Sequence, residues 1–125
     1  MLFVATVLVV DDAAVTRRIV TRALATVRPT ARGITASTSV EARLALQQRV
    51  VTAVITDYHL PDGTGLDVLT AAHAQNPTMR VVVMSTDTTR REVSLAAGAT
   101  AFVPKPFDMP TLLRLIQQLT EPTGA

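Results

Sequence analysis

The chain of 125 residues contains no cysteine, which excludes a disulfide-stapled scaffold, a thiolate zinc site and a thiol nucleophile. It also has little net charge. Twelve basic residues against ten acidic ones leave +2, too weak for the electrostatic footprint of a nucleic-acid-binding protein. Long apolar runs are missing too. Met1 to Val10 is almost wholly apolar, but it lacks a cationic start and ends in Asp11-Asp12, whereas a spanning helix needs about 20 apolar residues. It reads as a buried strand, and without an export signal the expected location is cytoplasmic. What is present is 48% hydrophobic residues, which excludes a disordered chain, in a length that suits one domain burying roughly two-thirds of its unfolded surface.

Two periodicities alternate along the chain. Short β-branched runs occur at Val4–Val10, Val50–Thr56 and Arg80–Ser85, with a shorter one at Ala101–Val103 and a weak one at Arg32–Ala36. Continuous apolar runs of this length suit strands covered on both faces, as in a parallel sheet. Between them lie helix-length stretches with apolar residues three and four apart. Val15, Ile19, Val20, Ala23, Leu24 and Val27 predict one buried face; Ala42, Leu44, Ala45 and Leu46 predict a second, after a capping-box spacing of Thr38 and Glu41. Thr64 and Asp67 repeat that spacing before Leu66, Leu69 and Ala72, and Pro77 closes the segment. Thr88–Ala97 runs into Gly98, a natural helix stop. Asp108 can cap a last helix with an apolar face of Leu112, Leu113, Leu115, Ile116 and Leu119. Five strand–helix repeats with right-handed crossovers predict an α/β sandwich with helices on both faces of the sheet, a single domain over 1–120 and a short tail over 121–125.

The polar groups fall at strand ends. Asp11 and Asp12 follow the first strand, Asp57 ends the third, Ser85, Thr86 and Asp87 end the fourth, and Lys105 follows the fifth. In a parallel sheet every carboxyl end opens on one edge, so these groups converge on one crevice, where open α/β sheets bind ligands. Taken singly, each has a plainer role: Asp12 could cap the first helix, Asp57 could be a turn former ahead of a Pro61-Asp62-Gly63 turn and Ser85 a strand-end hydroxyl bonded locally, and Lys105 could be a solvated charge. Singly, none of these explains three carboxylates and a lysine on one edge. Three carboxylates so close repel one another unless a cation sits among them, and an oxygen-only set of this kind suits Mg²⁺. His59 and His73 are too few and too far apart to argue for zinc. Lys105 is the only lysine beside eleven arginines; a compact ammonium sits against a phosphoryl oxygen or carboxylate as a point charge, which a wide guanidinium does not.

With VLVVDD at 7–12, ITDYHLPDGTG at 55–65, VVVMST at 81–86 and AAGATAFVPKPF at 96–107, the chain resembles a response-regulator receiver domain of two-component signalling over essentially Thr6 to Leu119. The resemblance implies a flavodoxin-like doubly wound (βα)5 fold, a five-stranded parallel sheet in the order 2-1-3-4-5. It implies that Asp57 is the phosphoacceptor, that Asp12 binds Mg²⁺ directly and Asp11 mainly through water, and that the His59 backbone carbonyl is a further metal oxygen. Ser85 matches the switch hydroxyl, Lys105 the phosphate-contacting lysine and Phe102 the rotating aromatic, with a cis Lys105–Pro106 bond. Thr86 stands where alanine or glycine is usual and narrows access, and the His59 side chain tunes phosphate hydrolysis. The implied role is a bacterial phosphoacceptor that catalyses its own phosphoryl transfer and autodephosphorylation, without being an enzyme in the ordinary sense. Its expected partners are a histidine kinase or phosphotransfer protein and a protein target, bound through the fourth helix, fifth strand and fifth helix, with neither nucleic acid nor membrane contacted directly.

Rival readings are weaker. A receiver module cut from a longer regulator with a DNA-binding or enzymatic output keeps the fold and changes only the setting. An aspartyl-phosphate hydrolase would want a second carboxylate two residues after its nucleophile, where this chain has His59. Neither G-x-G-x-x-G nor a G-K-[ST] loop follows the first strand to hold a nucleotide. Arg90 and Arg91, at the start of the fourth helix, read as a solvated face.

Overall fold

The computed structural model describes residues 4–122; the first three residues of the opening apolar run and positions 123–125 of the expected tail lie outside that range. Its strands are β1 (Thr6–Val10), β2 (Arg32–Ala36), β3 (Ala53–Asp57), β4 (Arg80–Ser85) and β5 (Ala101–Pro104). The helices between and after them are α1 (Ala14–Val27), α2 (Ser39–Gln48), α3 (Gly65–Gln75), α4 (Arg91–Ala96) and α5 (Met109–Leu119), and His59–Leu60 pairs with Gly63–Thr64 in a small hairpin before α3. The five strands form one parallel sheet in the order β2-β1-β3-β4-β5, as the resemblance implies. Strand order reverses between β1 and β3, so the crevice between their carboxyl ends is the switch point.

Alternate strand residues feed two cores. Leu8, Val10, Val54, Val81 and Val83 pack with Ala42, Leu46, Val68 and Leu69 of α2 and α3. Val7, Val9, Ile55, Val82 and Met84 pack with Val20, Leu24, Leu112 and Ile116 of α1 and α5. Burial on both faces explains why the strands read as continuous apolar runs rather than alternating ones.

Several helix details differ from the sequence expectation. Val15 and Ile19 are 65% and 40% exposed, because the buried stripe of α1 runs through Val20, Ala23 and Leu24; Ile19 falls at its edge and Val15, five residues before Val20, on the solvent side. Leu44 is also exposed; two residues from both Ala42 and Leu46, it lies on the far side of α2. Val50 is outside β3 and exposed, so that strand starts at Ala53, and β1 starts at Thr6 rather than Val4. The expected helix over Thr88–Ala97 begins as a 3-10 turn, Thr88–Arg90, before the six residues of α4, and ends at Gly98 with φ +109°, a left-handed stop that glycine adopts without steric cost.

Caps follow the spacing in three places. The Thr64 amide donates to Asp67 Oδ2 (2.9 Å) while the Leu66 amide donates to Thr64 Oγ1 (3.2 Å). Asp108 caps α5 by accepting from the Thr111 amide (2.8 Å). At α2 only half the box forms: Thr38 accepts from the Glu41 amide, but the Glu41 carboxylate takes the amide and hydroxyl of Ser37.

Candidate functional site

Each strand delivers its polar group to the same edge. Asp57 is the last residue of β3, Asp11 comes directly after β1, Ser85 is the last of β4, and Lys105 comes directly after β5. Asp11 is fixed on every side. Its amide donates to the Ala36 carbonyl (3.1 Å), its carbonyl accepts from Arg17 Nη1 (2.7 Å), and its Oδ1 accepts from the Ala13 amide (2.9 Å). Its Oδ2 accepts from Lys105 Nζ at 2.7 Å, and the same ammonium donates to Asp57 Oδ2 at 3.2 Å. The Asp57 backbone is closely packed too: a Cβ at Gly65 would come 2.5 Å from the Asp57 carbonyl oxygen, so the glycine that opens α3 lets that helix start against the end of β3.

Asp11, Asp12 and Asp57 each offer a carboxylate oxygen within 4.8 Å of the others. Burial pushes the Asp57 carboxyl above its ordinary value, with the Asp11 charge adding to the rise and Lys105 opposing it. Burial draws Lys105 down, but its bond to Asp11 and the charges of Asp57 and Asp11 outweigh that and leave it raised. The ammonium is therefore firmly kept, and it is outnumbered: the buried Asp11 and half-buried Asp57 carboxylates face one lysine, so the cluster has room for further positive charge. The donor set is oxygen only, with no imidazole or thiolate, and fits a hard divalent cation such as Mg²⁺.

The other expected residues lie around this cluster. Ser85 is fully buried, and its Oγ accepts from the Asp87 amide at 3.0 Å. Thr86 is exposed and lines a shallow groove with Ile19, Lys105, Pro106 and Phe107. The His59 imidazole is exposed and stands edge-on to Tyr58, 4.9 Å between ring centroids. Phe102 is buried in the α2–α3 core, on β5 with β4 lying between it and the strand of Asp57, two residues before Pro104, which pairs with Ser85. The Lys105–Pro106 peptide is cis. Asp12 caps nothing, because the cap of α1 is Ala13 and makes no side-chain bond. His73 stands elsewhere, with Nε2 3.0 Å from the Met79 carbonyl.

Three contacts escaped the sequence reading. Arg17 ties down the Asp11 carbonyl. Asp62, expected as a turn former, caps α2 from a distant loop, accepting from the Ser39 amide (2.7 Å) and the Val40 amide (3.0 Å). Arg90 is not a free surface charge: its Nε is 3.2 Å from Asp87 Oδ2 and its guanidinium carbon 5.3 Å from the Tyr58 ring centroid. Arg17 and Asp62 have no local sequence signal, since their partners are backbone groups, and for Arg90 only the Asp87 pairing three residues back is local, the Tyr58 ring lying in another segment.

A family model described as the response regulator receiver domain matches residues 7–117. The DNA-binding transcriptional regulator NtrC of Azospirillum brasilense is 33% identical over 116 residues, covering 91% of this chain and 24% of its own length. A protein-glutamate methylesterase/protein-glutamine glutaminase of Moorella thermoacetica is 35% identical, covering 95% of this chain and 29% of its own. The chain thus spans less than a third of these curated relatives. Among solved structures, the chemotaxis response regulator CheY4 of Vibrio cholerae superposes with a TM-score of 0.83 at 28% identity, covering 94% of this chain and 99% of that one. A response regulator receiver protein from Pseudomonas putida gives 0.82 at 29% identity over the same shares. Among the described residues no helix is long and apolar enough to cross a membrane.

Proposed function

The chain belongs to the response regulator receiver domain family of two-component signalling, and from that premise we propose that Asp57 accepts a phosphoryl group from a phosphohistidine on a histidine kinase or phosphotransfer protein. The observation that carries this reading is the half-buried Asp57 carboxylate at the end of β3, 3.2 Å from Lys105 and within 4.8 Å of oxygens of Asp11 and Asp12. In the transfer an Asp57 carboxylate oxygen bonds to phosphorus and the phosphorus–nitrogen bond breaks. The electron pair leaves on the imidazole nitrogen, which takes up a proton. Such a transition state is loose, so positioning and electrostatics supply most of the catalysis. Lys105 stands beside the acceptor oxygen and offsets charge on the phosphoryl oxygens. Asp11, Asp12, Asp57 and the His59 carbonyl are the groups that would hold Mg²⁺, which when bound supplies Lewis-acid neutralisation of phosphoryl charge.

The aspartyl phosphate adds roughly two negative charges at the sheet edge. The Ser85 hydroxyl then turns to a phosphoryl oxygen and Phe102 fills the space it leaves, shifting the population of the α4–β5–α5 surface that a protein target reads. Thr86 narrows the approach to Asp57, and His59 tunes hydrolysis of the product. The protein acts as a signalling switch on its own side chain, in the cytoplasm. Radiolabelled phosphotransfer from a panel of histidine kinases tests the proposal: wild type takes label from at least one kinase and Asp57→Asn takes none, whereas label surviving Asp57→Asn moves the acceptor elsewhere. A second reading, the receiver module of a longer regulator with a DNA-binding or enzymatic output, is favoured by the short share of the NtrC and methylesterase relatives that the chain spans. An open reading frame in the gene that starts at Met1 and stops directly after Ala125 would exclude it.

A further inference from the structure

We infer that Arg90, which stands outside the acid cluster, is a positioning residue that sets how readily the Ser85 hydroxyl is released to a phosphoryl group on Asp57; the inference rests on the receiver reading above. Ser85 Oγ is held by the Asp87 amide at 3.0 Å, and that bond must loosen before the hydroxyl can turn to the acceptor. Asp87 is itself held. Its Oδ1 accepts from the Thr89 amide (3.1 Å) and hydroxyl, its Oδ2 lies 3.2 Å from Arg90 Nε, and His59 Nε2 is 3.9 Å away.

Arg90 is anchored at its other end. Its guanidinium lies 5.3 Å from the centroid of Tyr58, and its carbonyl accepts from the buried Ser94 hydroxyl at 2.7 Å. Tyr58 directly follows the acceptor and is a firm base: its amide donates to the Met84 carbonyl (2.7 Å), its carbonyl accepts from the Gly65 amide (2.6 Å), and it is only 7% exposed. A planar guanidinium can lie on a ring and donate in its own plane to a carboxylate at once, which an ammonium does less well. Arg90 therefore bridges the loop after β3 to the loop after β4 and favours the arrangement in which Ser85 bonds Asp87. Its side chain is 44% exposed, so removing it leaves the core intact.

Each contact is weak alone, and together they bias the equilibrium by about threefold to tenfold. The test is titration with beryllofluoride, a phosphoryl mimic, in the presence of Mg²⁺, followed by fluorine NMR. Wild type binds, and Asp57→Asn does not. Arg90→Ala binds about three to ten times more tightly, because the competent arrangement is more populated before binding. Arg90→Lys, which keeps the charge but loses the flat face, falls between. The neighbouring Arg91→Ala matches wild type, since Arg91 makes no ion pair among the described residues. Equal or weaker binding by Arg90→Ala, or the same gain from Arg91→Ala, overturns the inference alone. Absence of Asp57-dependent binding in wild type overturns the receiver reading and the inference with it.

Discussion

Asp11 and Lys105 are 94 residues apart in the chain and 2.7 Å apart in space, and Lys105 reaches Asp57 across 48 residues. Across the crevice the bonds are local. Asp87 bonds Ser85 and Thr89, each two residues away, and pairs with Arg90 three residues on. Burial differs in the same sense: side-chain exposure is 1% and 16% for Asp11 and Lys105, against 35% and 44% for Asp87 and Arg90. The wall built from β1, β3 and β5 can rearrange only if the sheet does, whereas the wall after β4 can open one loop at a time. In the function proposed above, the chemistry that needs fixed charges sits on the first wall and the hydroxyl that turns sits on the second.

Removing the shared cation breaks this contrast most severely. Lys105→Ala leaves the buried Asp11 and half-buried Asp57 carboxylates facing each other, and the expected loss is about 3 kcal/mol of folding stability, read from urea denaturation in metal-free buffer. Arg90→Ala, on the exposed wall, should leave the urea midpoint near that of wild type. A similar loss from both variants would erase the distinction. Arg17→Ala sharpens the same contrast at smaller cost. The Asp11 carbonyl loses its 2.7 Å partner and the Asp11-Asp12 peptide is freer to swing, so Mg²⁺ affinity by calorimetry should fall about tenfold while the fold persists; unchanged affinity would show that the wall is rigid without it.

The strand-end residues of both walls are legible, Ser85 and Asp87 included. Periodicity located the strands, the parallel-sheet rule sent their carboxyl ends to one edge, and Asp11, Asp57 and Lys105 followed without knowledge of any contact. The rest depended on information outside a local window. Arg17 reads as a solvated helix residue because its partner is a backbone carbonyl, which no residue type announces. Arg90 reads the same way because its ring lies 32 residues back, and Asp62 because the helix it caps begins 23 residues earlier. Val15 and Ile19 are apolar, but apolar spacing alone does not fix where round α1 the buried stripe is centred. The start of the fourth helix differs because the Arg90 amide bonds the Asp87 carbonyl three residues back (3.2 Å) and the Arg91 amide the Thr88 carbonyl, which closes the first turn tighter than an α-helix.

The smallest effect separates the walls by proton linkage. Burial raises Asp57, so the fold prefers the protonated carboxyl. The stability tied to that group is fully present below the unfolded carboxyl value of about 4 and is lost as pH rises through the raised folded value. The capping carboxylates run the other way. Bonds from the Ser39 and Val40 amides lower Asp62, and bonds from the hydroxyl and amide of Thr111 lower Asp108. Their contribution is present above the unfolded value and is lost as pH falls through the depressed one. Asp57→Asn removes only the first linkage. In metal-free buffer the thermal midpoint of Asp57→Asn minus that of wild type should therefore be constant below about pH 4, grow more positive as the pH climbs through the raised Asp57 value, and then level off. A difference independent of pH would mean that the Asp57 charge costs the fold nothing, and that Lys105 alone already balances the buried wall.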